Sequence, residues 1–366
     1  MSALTERLRA LIATNGPISV SDYMAICLFD PEHGYYTTRE PFGQTGDFTT
    51  APEISQMFGE LIGAWAFATW QALGAPLPVT LAEIGPGRGT LMKDALRTLN
   101  RLQPGFIEQA TITLVETSPR LRAVQRETLA SFNTPISWHD DVAQLPKQPL
   151  ILIGNELFDA VPIRQYVKLQ NRWHERLVGL DEQDQLTFIA GPGTPDAALL
   201  PADAEQAPDG AIVELAPARS AIMAAIAQHL ATHGGAGLFL DYGYLVPAVG
   251  DTLQALRKHA FADVLAKPGE ADLTAHVDFA ALAGVARSAG LEAHLTTQGD
   301  FLLALGLLQR AGQLGASLDE AGQNAIRDAV ERLAGPDQMG DLFKVLAVTP
   351  PGLSPAGFAR ERPSPT

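Results

Sequence analysis

Leu81-Ala82-Glu83-Ile84-Gly85-Pro86-Gly87-Arg88-Gly89-Thr90-Leu91 reads as a short apolar strand that enters a glycine turn and leaves it as a helix. In an open sheet wrapped by helices, the first such strand-to-helix turn is where a nucleotide-like ligand sits. The glycine spacing narrows the ligand. A dinucleotide fingerprint asks for G-x-G-x-x-G/A, but after Gly85 and Gly87 the next glycine is Gly89, and position 90 holds Thr. A Walker-type phosphate loop needs Gly-Lys-Ser/Thr, which this turn lacks. Gly85, Pro86, Gly87 and Gly89 are therefore candidate residues for a ligand of another kind.

Around this turn the chain alternates β-rich runs with helical ones, the pattern of a parallel sheet covered by helices. Strands are expected at Val79–Ile84, Thr111–Glu116, Leu150–Gly154, Gly237–Asp241, Glu292–Thr297 and Leu342–Val348. Helices are expected at Leu91–Arg101, Arg120–Ser131, Ala218–His233 and Asp278–Gly290. This is an α/β doubly wound sheet. Arg164–Leu215 instead reads as an antiparallel meander, a β insertion at about 164–215, and 245–275 forms a second insertion with no clear period. Two short helices, a glycine-rich loop (Phe42–Thr50) and a helix from about Pro52 to Leu73 make residues 1–75 an N-terminal helical cap. The ligand-binding domain is then 76–349, and the proline-rich 350–366 is expected to hang free.

The chain has 366 residues, a length that suits two domains or one with a large insertion. With 46% hydrophobic and 18% charged residues it is an ordinary folded protein, neither a coiled coil nor a disordered acidic tail. A net charge of −15 is the wrong sign for tracking nucleic acid or an anionic membrane, and favours a cationic substrate or a basic protein segment. Cys27 is the single cysteine, so neither an internal disulfide nor a thiolate zinc site is available. No apolar run approaches the ~18 residues of a membrane span, and Met1–Ala10 reads as no targeting segment, which suggests a cytoplasmic protein.

Glu83 stands two residues before Gly85, where a carboxylate repels a pyrophosphate and attracts an ammonium or sulfonium group. S-adenosylmethionine (SAM) carries both. Glu116 ends the next strand, 33 residues after Glu83, at the place where acidic residues accept ribose hydroxyls in nucleotide folds. Asp140 follows the β-like run Ile136-Ser137-Trp138-His139 and is placed to accept from the adenine amino group. Each feature alone also fits a plain connection or a solvated strand end. Their succession in order is what points to SAM.

Five segments carry a family resemblance: Gly46-Asp47-Phe48-Thr49-Thr50-Ala51-Pro52-Glu53-Ile54-Ser55-Gln56, Glu83–Gly89, Asn155-Glu156-Leu157-Phe158-Asp159-Ala160-Val161-Pro162, Leu240-Asp241-Tyr242-Gly243-Tyr244 and Asp272–Phe279. From about Ile18 to Ala347 the chain resembles the MidA family of SAM-dependent methyltransferases. The resemblance implies a class I methyltransferase-like sheet, mostly parallel with an antiparallel last strand, and SAM as cofactor. Mitochondrial members of that family are complex I assembly factors that methylate an arginine of a core subunit. By resemblance, this chain is expected to be a protein-arginine methyltransferase acting on a respiratory NADH dehydrogenase subunit. A small-molecule acceptor and a non-catalytic assembly chaperone are the competing readings; the β insertion and helical cap add recognition surface that favours a protein, and the Glu83–glycine–Glu116 set argues against a scaffold.

Methyl transfer from a sulfonium is an in-line displacement, so positioning and a water-poor site do much of the work. An arginine acceptor begins as a cation, and carboxylates hold it through its planar fork. Asn155, Glu156 and Asp159 follow the third predicted sheet strand, where ligands bind in open sheets. Asn155 is a candidate toward cofactor and acceptor alike. If a helix follows, Glu156 and Asp159 share a face; the alternative is a helix start capped by Asn155 with acidic first-turn residues. Asp241 and Tyr242 line an acceptor channel, or Tyr242 is a buried tyrosine with a satisfied hydroxyl. His276 beside Asp278 is a base with its orienter, or a structural histidine next to a helix cap. Gly46 and Asp47 lie in the loop expected to close over cofactor or acceptor, with an Asx turn as the other role of Asp47. No His/Asp/Glu set has metal-ligand spacing. The β insertion is a candidate homodimer surface.

Overall fold

The computed structural model describes residues 2–38, 50–257 and 260–359. Gly46 and Asp47 lie outside the described residues. The chain divides into two compact units, each built from three separated segments: 1–48, 158–222 and 246–278 form the first, and 49–157, 223–245 and 279–366 the second. The N-terminal helices and both insertions, expected as separate additions, are therefore one body. The expected cap boundary at 75 moves back to 48, because the helix α1 (Gln56–Ala72) packs tightly on α2 (Thr90–Leu102) of the second unit. A Cβ on Gly59 would lie 2.6 Å from Asp94 Cβ, and one on Gly63 2.8 Å from Ala95 Cα, so only glycine permits this approach. The helix also starts later than Pro52: Ser55 is extended, and its hydroxyl caps Met57 N–H.

In the second unit the strands are β1 (Val79–Ile84), β2 (Ala110–Val115), β3 (Ile136–His139), β4 (Leu150–Asn155), β5 (Gly235–Tyr244), β6 (Glu292–Thr297) and β7 (Phe343–Thr349). They run in the order β3-β2-β1-β4-β5-β7-β6. The pairs among β1 to β5 are parallel, and β7 is antiparallel to both β5 and β6. Every residue of β1 and β4 is buried, as befits parallel strands covered on both faces, which is why they read as apolar runs rather than alternations. The chain leaves β1 toward β2 on one side and takes up β4 on the other. That is the topological switch point, and it sets the carboxyl ends of β1 and β4 beside a crevice for ligands.

Trp65, Phe58, Leu96, Ile112, Ile151 and Val345 are fully buried in this unit's core. One polar cluster interrupts it. Glu60 on α1 accepts from Arg310 Nε at 2.6 Å and Nη2 at 3.0 Å, and from Arg97 Nη2 of α2 at 3.3 Å. Arg97 also meets Asp94 at 3.0 Å, and burial pushes that carboxyl up to about 6. Between β6 and β7 lie helices Gln298–Ala304, Leu307–Gly315 and Glu320–Ala334, a stretch to which the sequence pattern assigned nothing. The tail expected to hang free from 350 instead packs at its start: Gly352 N–H donates to Glu292 Oε1 at 2.9 Å, and Phe358 meets the rings of His294 and Phe301. An aromatic anchor outweighs the proline-rich composition there.

In the first unit the helices Ala3–Asn15 and Val20–Phe29 pack on an antiparallel sheet. Ile18–Ser19, Arg172–Leu180, Arg164–Leu169 and Ile212–Leu215 pair in that order, with Leu186–Ala190 on Arg172–Leu180. The meander forms within the span 164–215 expected for it. The second insertion is not irregular: Gln254–Arg257 pairs with Ala260–Ala262 and with Asp272–Thr274. Strands this short are below the length at which alternation can be read. Leu8, Tyr23, Met24, Ile163, Val178 and Leu273 form this unit's core.

Candidate functional site

At the end of β1 the chain turns through three glycines in the left-handed region: φ is 63° at Gly85, 51° at Gly87 and 82° at Gly89. Side chains rarely adopt this backbone, so the turn is bare by necessity. Gly85 N–H donates to Val115 O at 3.0 Å and Gly89 N–H to Pro86 O at 2.7 Å. Gly89 then opens α2. The turn thus presents peptide groups and a helix N-terminus without side chains in between.

Glu83 is 3% exposed, and burial pushes its carboxyl up to about 8 against the one opposing contact, the Met92 backbone N–H. Among the described residues its Oε2 has no hydrogen-bond partner, and the same holds for the buried Asn155 Oδ1 at the end of β4. Two buried acceptors without donors, on the two strands that flank the switch point, are a cost to the fold that a cation would relieve. An ammonium group fits them.

Glu116, just past β2, accepts from Ser118 N–H at 2.8 Å and, through Oε2, from Gln125 Nε2 at 3.2 Å. Burial raises its carboxyl, and those donors hold it partly down. Gln125, which sequence reasoning overlooked, lies on Pro119–Thr128. Asp140 is mostly exposed, with Arg122 Nη2 2.6 Å from its Oδ1, so the candidate adenine acceptor is already engaged in a surface ion pair.

Glu156 follows β4 with φ 51°, a left-handed backbone rare outside glycine and frequent at functional sites. Its N–H donates to Leu240 O at 2.8 Å, and its Oε1 accepts from Asn155 Nδ2 at 3.0 Å and Ala51 N–H at 3.3 Å. Both sequence expectations for this stretch fail: no helix begins after Asn155, so Glu156 and Asp159 do not share a helical face and Asn155 caps nothing. The left-handed turn at Glu156 breaks the helical path, and the two acids fall in different units. Glu53 joins the second unit's set unforeseen, accepting from Thr90 Oγ1 at 2.6 Å at the start of α2. Asp241 is wholly buried in β5, where its Oδ1 accepts from Tyr242 N–H at 2.9 Å, and Tyr242 packs edge-on against Phe343.

Asp159 and His276 belong to the first unit. Arg219, 2% exposed, ties their backbones together: its guanidinium donates to the carbonyls of Val161 (3.2 Å), His276 (2.7 Å), Asp159 (3.0 Å) and Ala275 (3.1 Å). Ala275 N–H also donates to Asp159 O, and His276 N–H to Thr252 Oγ1 at 2.9 Å. Arg219 belongs to no sequence motif, and these four carbonyls lie 56 to 60 residues away from it along the chain. Arg219→Met removes four hydrogen bonds to backbone carbonyls, two of them fully buried, and is expected to destabilise the protein by about 3 kcal/mol or more. The urea midpoint checks it, and a change under about 0.5 kcal/mol, the usual range for surface substitutions, contradicts the clamp.

Residues 61–297 match the model of a family described as S-adenosyl-L-methionine-dependent methyltransferases. The chain is 34% identical to the mitochondrial protein arginine methyltransferase NDUFAF7 of Xenopus laevis, over 95% of this chain and 85% of that one. It is likewise 34% identical to the Homo sapiens protein of that name, over 93% of this chain and 81% of the other. Among solved structures, a Burkholderia thailandensis protein classed with methyl transferases and bound to S-adenosyl-homocysteine superposes with a TM-score of 0.83 at 30% identity, covering 98% of this chain and 95% of that one. Among the described residues no helix is long and apolar enough to cross a membrane. With this sheet order, this bare turn and these relatives, the chain is an enzyme of the MidA family of S-adenosyl-L-methionine-dependent methyltransferases, and S-adenosyl-L-methionine is its cofactor.

Proposed function

We propose that the enzyme methylates an arginine of a protein substrate, with the cofactor seated at the switch point of the second unit. The observation that carries the seat is the pair of buried acceptors without donors, Glu83 Oε2 and Asn155 Oδ1, beside the glycine turn. Glu83 and Asn155 would hold the ammonium, the Gly85–Gly89 turn would accept the body of the cofactor, and Glu116 would hold the ribose. Bound there, the cofactor supplies an electrophilic methyl group on a sulfonium. Asp140 would reach the adenine only by sharing its carboxylate with Arg122.

Arginine as the acceptor is supported by the name of the relatives and by two acids on adjacent strands: Glu156 follows β4, and Asp241 lies in the C-terminal half of β5. Their role is to balance the charge of the guanidinium, orient it so that one nitrogen faces the methyl group, and accept the proton that this nitrogen must give up. Tyr242 bounds the same edge. Asp159 and His276, the other acceptor candidates, belong to the first unit, where Arg219 fixes their backbones. A subunit of the respiratory NADH dehydrogenase is the acceptor the family resemblance implies. Mass spectrometry of proteins from a deletion strain tests it directly: loss of one methylarginine names the substrate, and an unchanged methylarginine inventory sinks the protein-arginine reading.

The seat has a pH signature. Below about 8 the free enzyme keeps a proton on Glu83, which a bound ammonium displaces. Titration with S-adenosylhomocysteine at pH 6.5 is expected to release close to one proton, read calorimetrically in two buffers of different ionisation enthalpy. The apparent affinity should climb with pH until about 8, where the ligand's own α-amino group begins to lose its proton. A pH-independent affinity between 6 and 7.5 would remove Glu83 from the seat.

A further inference from the structure

We propose that Gln125 is a positioning residue of the cofactor seat, one that presets the Glu116 carboxylate for the ribose hydroxyls and locks it to the glycine turn. The inference deepens the proposed function and rests on the assignment of Glu116 to the ribose.

Gln125 is 0% exposed, an unusual place for a long amide. All three of its hydrogen bonds are specific: Nε2 donates to Gly87 O at 2.8 Å and to Glu116 Oε2 at 3.2 Å, and Oε1 accepts from Trp138 Nε1 at 2.9 Å. Turning the amide over would set Oε1 against a carbonyl and a carboxylate, and Nε2 against an indole N–H. Three like-with-like contacts forbid that, so the amide has a single orientation. Trp138 supplies the lock, and Arg126 in turn braces its ring, with Cζ 4.7 Å from the centroid.

Two of the three partners are residues of the cofactor seat. Gly87 is the middle glycine of the left-handed turn, and Glu116 stands past the neighbouring strand. The packing is equally close: a Cβ on Gly89 would lie 3.5 Å from Gln125 Cγ. A leucine could fill the same volume, but it would leave Gly87 O and Glu116 Oε2 without their donor and Trp138 Nε1 without its acceptor. The amide therefore sets two consequences at once. It stops the carboxylate from rotating away from the ribose, and it helps keep that carboxylate ionised in a buried place, since a donated hydrogen bond favours the charged form.

Binding of S-adenosylhomocysteine and of its 2′-deoxyribose analogue to the full-length protein, measured by calorimetry, tests this. Wild type is expected to prefer the intact ribose by about tenfold or more, as sites built to bond a hydroxyl do. In Gln125→Leu the preference should fall to within about threefold, with S-adenosylhomocysteine itself weakened roughly ten- to a hundredfold as Glu116 is left underdonated. Trp138→Phe, which removes only the orientation lock, should lose part of the preference and provides the answer where Gln125→Leu folds poorly. A purely structural glutamine would weaken both ligands equally, so a preference that survives intact in both variants overturns the proposal. Indifference of the wild type to the missing hydroxyl overturns the ribose assignment of Glu116 and this proposal with it.

Discussion

Glu83→Gln is expected to weaken S-adenosylhomocysteine binding by about a hundredfold or more while stabilising the unliganded enzyme above pH 7. Truncating the charged partner of a buried ionic contact typically costs 2–5 kcal/mol of affinity. The stability gain follows from the same burial. Glu83 titrates near 8 in the folded chain, against an ordinary value of 4.5. Between those values the folded chain holds a proton that the unfolded chain has released, so wild-type stability falls as pH rises through this window and is lowest above about 8. Glutamine has no such proton, and its stability should not carry this slope. The difference at pH 8 is a few kcal/mol at most, read as urea midpoints at pH 6 and pH 8. Cofactor affinity within threefold of wild type would show that Glu83 does not anchor the ligand.

Glu60→Ala has the largest expected effect on folding. The carboxylate is 5% exposed and joins three helices, receiving a two-pronged contact from Arg310 and a third from Arg97. Deleting it leaves two partly buried cations facing each other beside Asp94. Removal of one partner from such a network costs about 3–5 kcal/mol. Glu60→Gln keeps the shape and one acceptor and should cost less than half of that. A midpoint for Glu60→Ala that moves by under 1 kcal/mol would mean the network is solvated and idle.

The positions of the main strands and the glycine turn were legible because both are local. A buried parallel strand is a short apolar run, and a left-handed turn needs glycine, so Val79–Gly89 announces itself. Glu83 and Glu116 drew attention for a related reason, since acids inside or just past buried strands next to such a turn stand out in the sequence. Gln125 and Arg219 were not. Each bonds to groups distant in sequence, and neither belongs to a motif with its partners. The helix expected after Asn155 failed because the left-handed backbone of Glu156 depends on Leu240 O, a strand away. The cap boundary failed because Gly59 and Gly63 look like weak spots in a helix until the helix they admit is known.

The place of β7 in the sheet has a consequence for synthesis. It lies between β5 and β6, yet it is the last strand to leave the ribosome. Until Phe343–Thr349 has emerged, both neighbours carry open edges in a crowded cell, the exposed template on which nascent chains stick to one another. The first unit needs nothing beyond Asp278 and can close while that interior slot still stands open. A ribosome stalled in 279–342 therefore holds a half-finished product whose most adhesive surface is the bare edge of β5, and translation speed through that stretch sets how long the hazard lasts.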